Sequence, residues 1–378
     1  MSQSPSFFQR FLLPGFAFKA VIIGGGYATG RELVEFFFPA GPAGGMLGML
    51  MVMLIWSAAC TVTFLFALAT HSYDYKTFFK NLLGRYWVVF EICYILFIFL
   101  VLSVFGAAAG EIGRAVFGFP TIMGTLMLAG GIVLFTTLGN HAVEQLFKYV
   151  TIFLYTTYFI FFVLSFNSFG DRIADRLFIE PVTANWPRGG LIYAGYSLVG
   201  AVVILPMIRH LTSSKDAVIA GMLCGPFAIL PAILFFICVV GFYPEIWNET
   251  LPSDFLLRQL ELPVFHVIYQ LMIFAALLES GTGLVHAINE RVATVFQARQ
   301  KRLTEPMRLG VAVTFVVIAI FVAERVGLVT LIAKGYGSSA YIFLAIYALP
   351  LFTIGVWCLV KIRRATRNDT IAPSNFAE

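Results

Sequence analysis

Charge is what this chain has least of. Asp, Glu, Lys and Arg make up 12% of its 378 residues, hydrophobic residues make up 60%, and the mean hydropathy is +0.88. A soluble domain is about one quarter charged, so a soluble globular protein is excluded and an integral membrane protein is indicated. Histidine is equally scarce, with five scattered residues, and the five cysteines (Cys60, Cys93, Cys224, Cys238, Cys358) stand singly in apolar runs. Such spacing gives neither a disulfide framework nor a zinc site. No HExxH, GxSxG or clustered His/Asp set occurs, and "GGGYATG" fits neither a phosphate loop nor GxGxxG, so the sequence does not read as an enzyme. Nothing in it calls for a cofactor, a metal or a nucleic acid. The opening "MSQSPSFFQRFLLPG" has no small-residue cleavage site and runs into apolar sequence too long for a signal peptide.

Long apolar runs fill the rest. About 20 helical residues cross an apolar core of ~30 Å, which places spans near 12–40, 43–70, 86–117, 121–138, 141–168, 188–212, 215–242, 263–298, 307–325 and 338–361. The runs are too long and unbroken for barrel strands. The expected fold class is therefore an all-α integral membrane protein with ten transmembrane helices. It forms one domain over 1–378 with a tail at 362–378. Sixteen Lys and Arg fall in the segments on the N-terminal side of the membrane, against seven on the other side. By the positive-inside rule both termini are cytoplasmic. The acidic loop "YPEIWNETLPSDFLLRQLEL" then lies outside.

The first span contains "VIIGGGYATGRELVEFF" (21–37), three glycines and a threonine where a helix wants bulk, followed by Arg31, Glu32 and Glu35. The sixth reads "GGLIYAGYSLVGAVVILP". Gly26-Tyr27-Ala28 matches Gly195-Tyr196-Ser197 at an offset of 169 residues, each followed by a further glycine, Gly30 or Gly200. An offset of five spans inverts topology, and the third and eighth spans are both unusually long, as strongly tilted helices would be. The reading is two inverted five-helix repeats, about 12–168 and 188–361, with the first and sixth helices broken. Close packing through small-xxx-small pairs is the alternative, one that Gly26/Gly30 satisfies as well as Gly106/Gly110 or Gly221/Gly225.

A helix unwound at mid-membrane frees N–H and C=O groups that need partners. Facing half-helix ends suit a carboxylate at the N-terminal end and a cation at the C-terminal end, and paired broken helices point to a transporter's midplane site. Candidate substrate-binding residues are Gly24, Gly25, Gly26, Tyr27, Ala28, Thr29, Gly195, Tyr196 and Ser197, with Ser103 facing the same cavity and the two tyrosines closing over it. Glu279 falls near mid-span, where an ionisable group is a functional hypothesis by default; it carries a proton, binds a substrate amine, or is a structural partner. Arg31 and Glu35, one turn apart, can pair as a gate with Glu111 or as an ion network in a wet outer vestibule. Glu32 is expected to be solvated there, and Lys19 to snorkel to the interface.

Ten spans, two inverted halves, glycine-broken first and sixth helices and long third and eighth helices resemble the amino acid–polyamine–organocation superfamily with the LeuT-type fold. "GGGYATGRELVEFF", "ESGTGLVHAINER" and "LIAKGYGSSAYIF" are similar to its YkvI-like branch. The resemblance implies alternating-access transport of an amino acid or similar small organic solute, zwitterionic or cationic, across a bacterial cytoplasmic (inner) membrane. It also implies H+ or Na+ as coupling ion and a monomer or homodimer in the lipid bilayer; a permease-like sensor is the alternative. Sodium-coupled relatives carry adjacent hydroxyls on the eighth helix, whereas Gly281 separates Ser280 from Thr282 here. In some proton-coupled relatives a lysine of the fifth helix replaces the sodium ion, and Lys148 would be its counterpart.

Overall fold

The computed structural model describes residues 5–138, 140–298, 300, 301 and 303–371. Every regular element among them is helical. Eight stretches are long and apolar enough to cross a bilayer: Arg31–Ala69, Tyr75–Phe117, Thr121–Leu138, Lys148–Leu177, Ser214–Val240, Pro263–Ala293, Glu305–Val326 and Leu328–Arg364. The two expected spans that fall short are the first and sixth, because their helices are interrupted. The first consists of α1 (Leu13–Ile22), α2 (Gly25–Ala28) and α3 (Arg31–Phe37). The long helices α4 (Gly41–Ala69), α6 (Trp87–Phe117), α7 (Thr121–Leu138) and α8 (Asn140–Leu177) follow. The sixth consists of α9 (Trp186–Ser197), α10 (Gly200–Val203) and a 3-10 turn over Leu205–His210. It is followed by α11 (Ser214–Val240), α13 (Pro263–Ala298) and α14 (Glu305–Val326).

Two short helices lie where the hydropathy pattern gives only loops. α5 (Tyr75–Leu83) starts at Asp74, whose carboxylate accepts the Thr77 N–H at 2.9 Å. It turns Phe78, Phe79 and Leu82 inward, the spacing of an amphipathic helix too short to span. α12 (Pro252–Gln259) starts on a proline, whose missing N–H would be unsatisfied at that position in any case. The acidic loop is thus partly helical and partly buried: Asp254 lies 2.7 Å from His266 Nε2, accepts Gln270 Nε2 at 3.0 Å, and pairs with Arg258 at 3.2 Å. On the same side the Tyr243 hydroxyl donates to Glu180 at 2.7 Å. Burial first, and the Glu180 carboxylate second, push that phenol up to about 12, so it remains the donor.

Small residues set the closest helix contacts. A Cβ on Gly221 would meet the Thr61 Cα at 2.5 Å, which seats α11 on α4, and one on Gly110 would meet the Thr121 carbonyl at 2.7 Å, which seats α6 on α7. Both pairs are the close-packing kind. Large apolar side chains on the spans, Leu54, Phe159 and Trp357 among them, stay exposed, as they would against lipid. At the N-terminal end Arg10 grips Asp216 through two hydrogen bonds of 2.9 and 2.8 Å, tying the segment before α1 to the start of α11. The last helical rod, α15 (Leu328–Thr330), α16 (Gly337–Phe343) and α17 (Val356–Ile371), is joined by π-helical turns at Leu331–Tyr336, Leu344–Ala348 and Leu351–Gly355. Such turns are rare and cluster at functional sites. The first of them delivers Tyr336 to the cavity described next.

Candidate functional site

The first helix breaks twice. α1 ends where Ile23 leaves helical geometry (φ −76°, ψ 72°) and the Gly24 N–H turns back to the Ile22 carbonyl at 2.8 Å. α2 then ends at Thr29–Gly30, with Gly30 at φ +77°, a left-handed conformation that only glycine adopts without strain. A Cβ there would also press on Pro252 at 3.3 Å, with the Phe235 ring closer still. The Thr29 carbonyl does not stay unpaired: it accepts the Ser253 N–H of α12 at 3.0 Å. One break therefore carries the cover that closes it.

The sixth helix breaks more gently, and one turn beyond the expected place. Gly195, Tyr196 and Ser197 remain helical. The slip comes at Leu198–Val199, where the bonds shorten from i−4 to i−3: Leu198 N–H still reaches Ala194 at 3.0 Å, but Ala201 N–H reaches Leu198 at 2.9 Å and Val202 N–H reaches Val199 at 3.1 Å. The 169-residue offset carries Leu198–Val199 onto Thr29–Gly30, so the slip coincides with the second break of the first helix rather than with the Gly-Tyr match. The two helices touch: α1 packs on α10, and α3 packs on α9.

Between them lies a cavity of about 420 Å³. Its wall is formed by Ile23 and Gly24 of the first helix, Tyr193, Tyr196, Ser197, Val199 and Gly200 of the sixth, and Phe97, Ile98 and Phe105 of α6. Thr151, Leu154 and Tyr155 of α8, Glu279, Ser280 and Leu284 of α13, and Tyr336 complete it. The exposed residues Ala20, Val21, Val203 and Ala287 also line it, so it opens on the α1 side. On the α3 side it is sealed. Arg31, 4% exposed, donates to the carbonyls of Trp247 at 2.8 Å and Glu249 at 3.0 Å and pairs with Glu35.

The structure places the sequence candidates unevenly. Gly24, Tyr196, Ser197, Glu279 and Ser280 line the cavity. The Ser197 hydroxyl is already committed, donating to the Tyr193 and Ala194 carbonyls and accepting Trp56 Nε1–H at 3.0 Å. Glu279 receives only a long 3.5 Å contact from Thr151. Tyr27, Ala28 and Thr29 are fully buried behind the wall, and Gly25 and Gly26 belong to α2 but otherwise lie outside the described residues. Gly195 serves packing, since a Cβ would meet the Ala340 carbonyl at 3.0 Å.

Four expectations need correction. Ser103 does not face the cavity, because its hydroxyl folds back onto the Phe99 carbonyl at 2.8 Å. Lys148 is exposed, with its ammonium 5.6 Å from the neighbouring Tyr149 ring, so it does not stand beside the first and eighth helices. Glu111 pairs with Arg114 at 2.5 Å on its own helix and not with Arg31. Thr282 is fully buried and lies outside the cavity wall, so it does not converge with Ser280. Lys19 is half-buried, its ammonium 3.9 Å from the Tyr155 ring.

Glu32 is the residue the sequence misplaced. Far from being solvated, it is 6% exposed, lines the cavity, and accepts the Tyr196 hydroxyl at 2.7 Å. Tyr196 stacks on Tyr336 with centroids 4.6 Å apart and meets Tyr193 edge-on at 5.6 Å. A signal existed. Arg31 and Glu35 share one face of α3, and a residue one step on from Arg31 points about 100° away, toward the sixth helix. Tyr336 sat in "LIAKGYGSSAYIF" without a role because nothing local announces a π-helical turn.

This geometry is that of the LeuT-type fold. The chain superposes on the crystal structure of MhsT in complex with L-phenylalanine with a TM-score of 0.63 and 14% identity, covering 94% of this chain and 98% of that one. In sequence it is similar to the "Uncharacterized membrane protein YkvI" of Bacillus subtilis (strain 168), 22% identical over 335 residues, which cover 87% of this chain and 92% of that protein. A mutant of the Eremococcus coleocola manganese transporter aligns with a TM-score of 0.49 and 12% identity over 99% of this chain and 93% of that one. No family model matches the chain. At these identities the structural likeness is one of fold.

Proposed function

We propose that the protein is a secondary active transporter that moves an amino acid or similar small organic solute across the bacterial cytoplasmic membrane. In this reading α1–α3 and α9–α10 are the two remaining spans. They complete ten helices in two inverted repeats, and both termini are cytoplasmic. One observation carries it: the cavity sits where two interrupted, pseudo-equivalent helices meet, open on the α1 side and sealed on the other by Arg31 and α12. With the N-terminus inside, this is an inward-facing pose. Alternating access then requires α12 to lift from Thr29 while the α1 side closes. The separation of Ser280 and Thr282 favours coupling that does not use sodium, with Glu279 as the candidate proton carrier.

Counterflow in proteoliposomes tests this. Vesicles loaded with millimolar unlabelled amino acids and amines should transiently concentrate a labelled external counterpart. Ligand binding without any flux would make the protein a permease-like sensor instead.

A further inference from the structure

The cavity wall is electrically one-sided. It contains two carboxylates, Glu32 and Glu279, and no Lys, Arg or His. The cations around it stand off the wall itself. Arg31 is held by Glu35 and two loop carbonyls, and Arg291 lies over the rings of Tyr75 and Tyr94 at 3.9 and 4.6 Å with Glu91 beside it. The Lys19 ammonium sits on the Tyr155 ring. A carboxylate entering this space would meet two acidic side chains and no cation on the wall itself, a juxtaposition that selects against it.

The rest of the wall suits the opposite sign. Glu32 gives one oxygen to Tyr196, and an ionised carboxylate can accept about four hydrogen bonds. Tyr193, 1% exposed and on the wall, has a hydroxyl with no hydrogen-bond partner among the described residues. It is a buried polar group that a ligand can satisfy. Phe97, Tyr193, Tyr196 and Tyr336 make the wall aromatic, and aromatic rings attract ammonium groups. A bare Ca2+ or Mg2+ ion would instead call for six or more oxygen ligands, and among the described residues no three His, Cys, Asp or Glu side chains come together to hold a metal ion.

We infer that the cavity recognises an organic cation, an amine whose charge is not balanced by a carboxylate of its own, and that Glu32 is the carboxylate that meets the ammonium. This rests on the proposed function only in taking the cavity as the solute site. It narrows the solute from amino acids to their carboxylate-free counterparts. Glu32 thereby joins the substrate to Tyr196, and so to the sixth helix.

The test uses the full-length purified protein and matched ligands: phenethylamine, L-phenylalanine amide and L-phenylalanine, with putrescine as an aliphatic diamine, followed by titration calorimetry and thermal shift. Carboxylate-free amines should bind at least about tenfold tighter than L-phenylalanine, and Glu32→Gln should weaken them at least about tenfold, as truncating one side of a buried charge pair does. The wild-type comparison stands even where Glu32→Gln fails to fold. Equal or tighter binding of L-phenylalanine, binding of none of the amines, or amine affinity unchanged in folded Glu32→Gln would overturn the inference. Amine binding that depends on Glu32 but gives no counterflow would uphold it while removing the transport reading.

Discussion

The Tyr196 hydroxyl donates to the Glu32 carboxylate across 2.7 Å, and with that bond the sixth helix holds the first beside their shared cavity. Neither partner has an obvious local reason to be there. An acid buried in a membrane helix is costly unless it is paired or functional, and Glu32 has both a partner and a place on the cavity wall. The bond is also a joint: any motion of the first helix against the sixth must break it or carry it along.

Tyr196→Phe removes the donor and keeps the ring that stacks on Tyr336. A hydrogen bond to a charged group contributes about 1.5–3 kcal/mol, so the melting temperature should fall and counterflow should drop by about tenfold. Flux within twofold of wild type would mean that the joint plays no part in transport.

Gly30→Ala should destabilise the protein by roughly 2–4 kcal/mol, from left-handed strain plus overpacking. The new Cβ sits at φ +77° against Pro252 and Phe235. Gly130→Ala on α7, where nothing lies within 4 Å, should be neutral or stabilise by up to ~1 kcal/mol. Unfolding in detergent with denaturant reads both. Equal losses would show that the chain does not turn at Gly30.

These two positions also mark what was legible in the sequence. The glycines of the first span announced its break, because the hydropathy pattern cannot hide a missing run of side chains. The break in the sixth could not be located, since Leu198 and Val199 keep right-handed backbone angles and merely shorten their hydrogen bonds. α5 and α12 escaped a span-length reading because they are too short to cross. Ser103 and Glu32 were misassigned for one reason: whether a polar side chain turns to a cavity or to a partner is decided by its neighbours in space. The place of Glu279 on the cavity wall was legible because its depth along α13 could be counted.

Arg31→Lys should loosen the outer cover. A lysine keeps the charge but loses the planar fork that reaches Trp247, Glu249 and Glu35 at once. Hydrogen exchange across 245–257 is expected to speed up by at least about tenfold, with the cavity wall on α6 unchanged. An unaltered exchange pattern would remove Arg31 from the seal.

Lys148→Gln should leave counterflow within about twofold of wild type, as substitution of an exposed interfacial lysine does. Its ammonium lies 5.6 Å from the ring of the neighbouring Tyr149, and neither residue is on the cavity wall. Loss of flux in this variant would restore the lysine to the ion site and require a conformation in which α8 turns.

The decisive measurement places a thiol on the cavity wall. Ser280→Cys, labelled with a membrane-impermeant maleimide in vesicles of each orientation, reports which side reaches Glu279's neighbourhood; the background is a variant with the half-buried Cys93 and Cys358 replaced by serine, in which Cys60, Cys224 and Cys238 are buried. Labelling from the N-terminal side, blocked by saturating ligand, is the result expected of a solute site open on the α1 side. Equal labelling from both sides, or labelling indifferent to a ligand that still binds, would contradict a gated cavity between two broken helices.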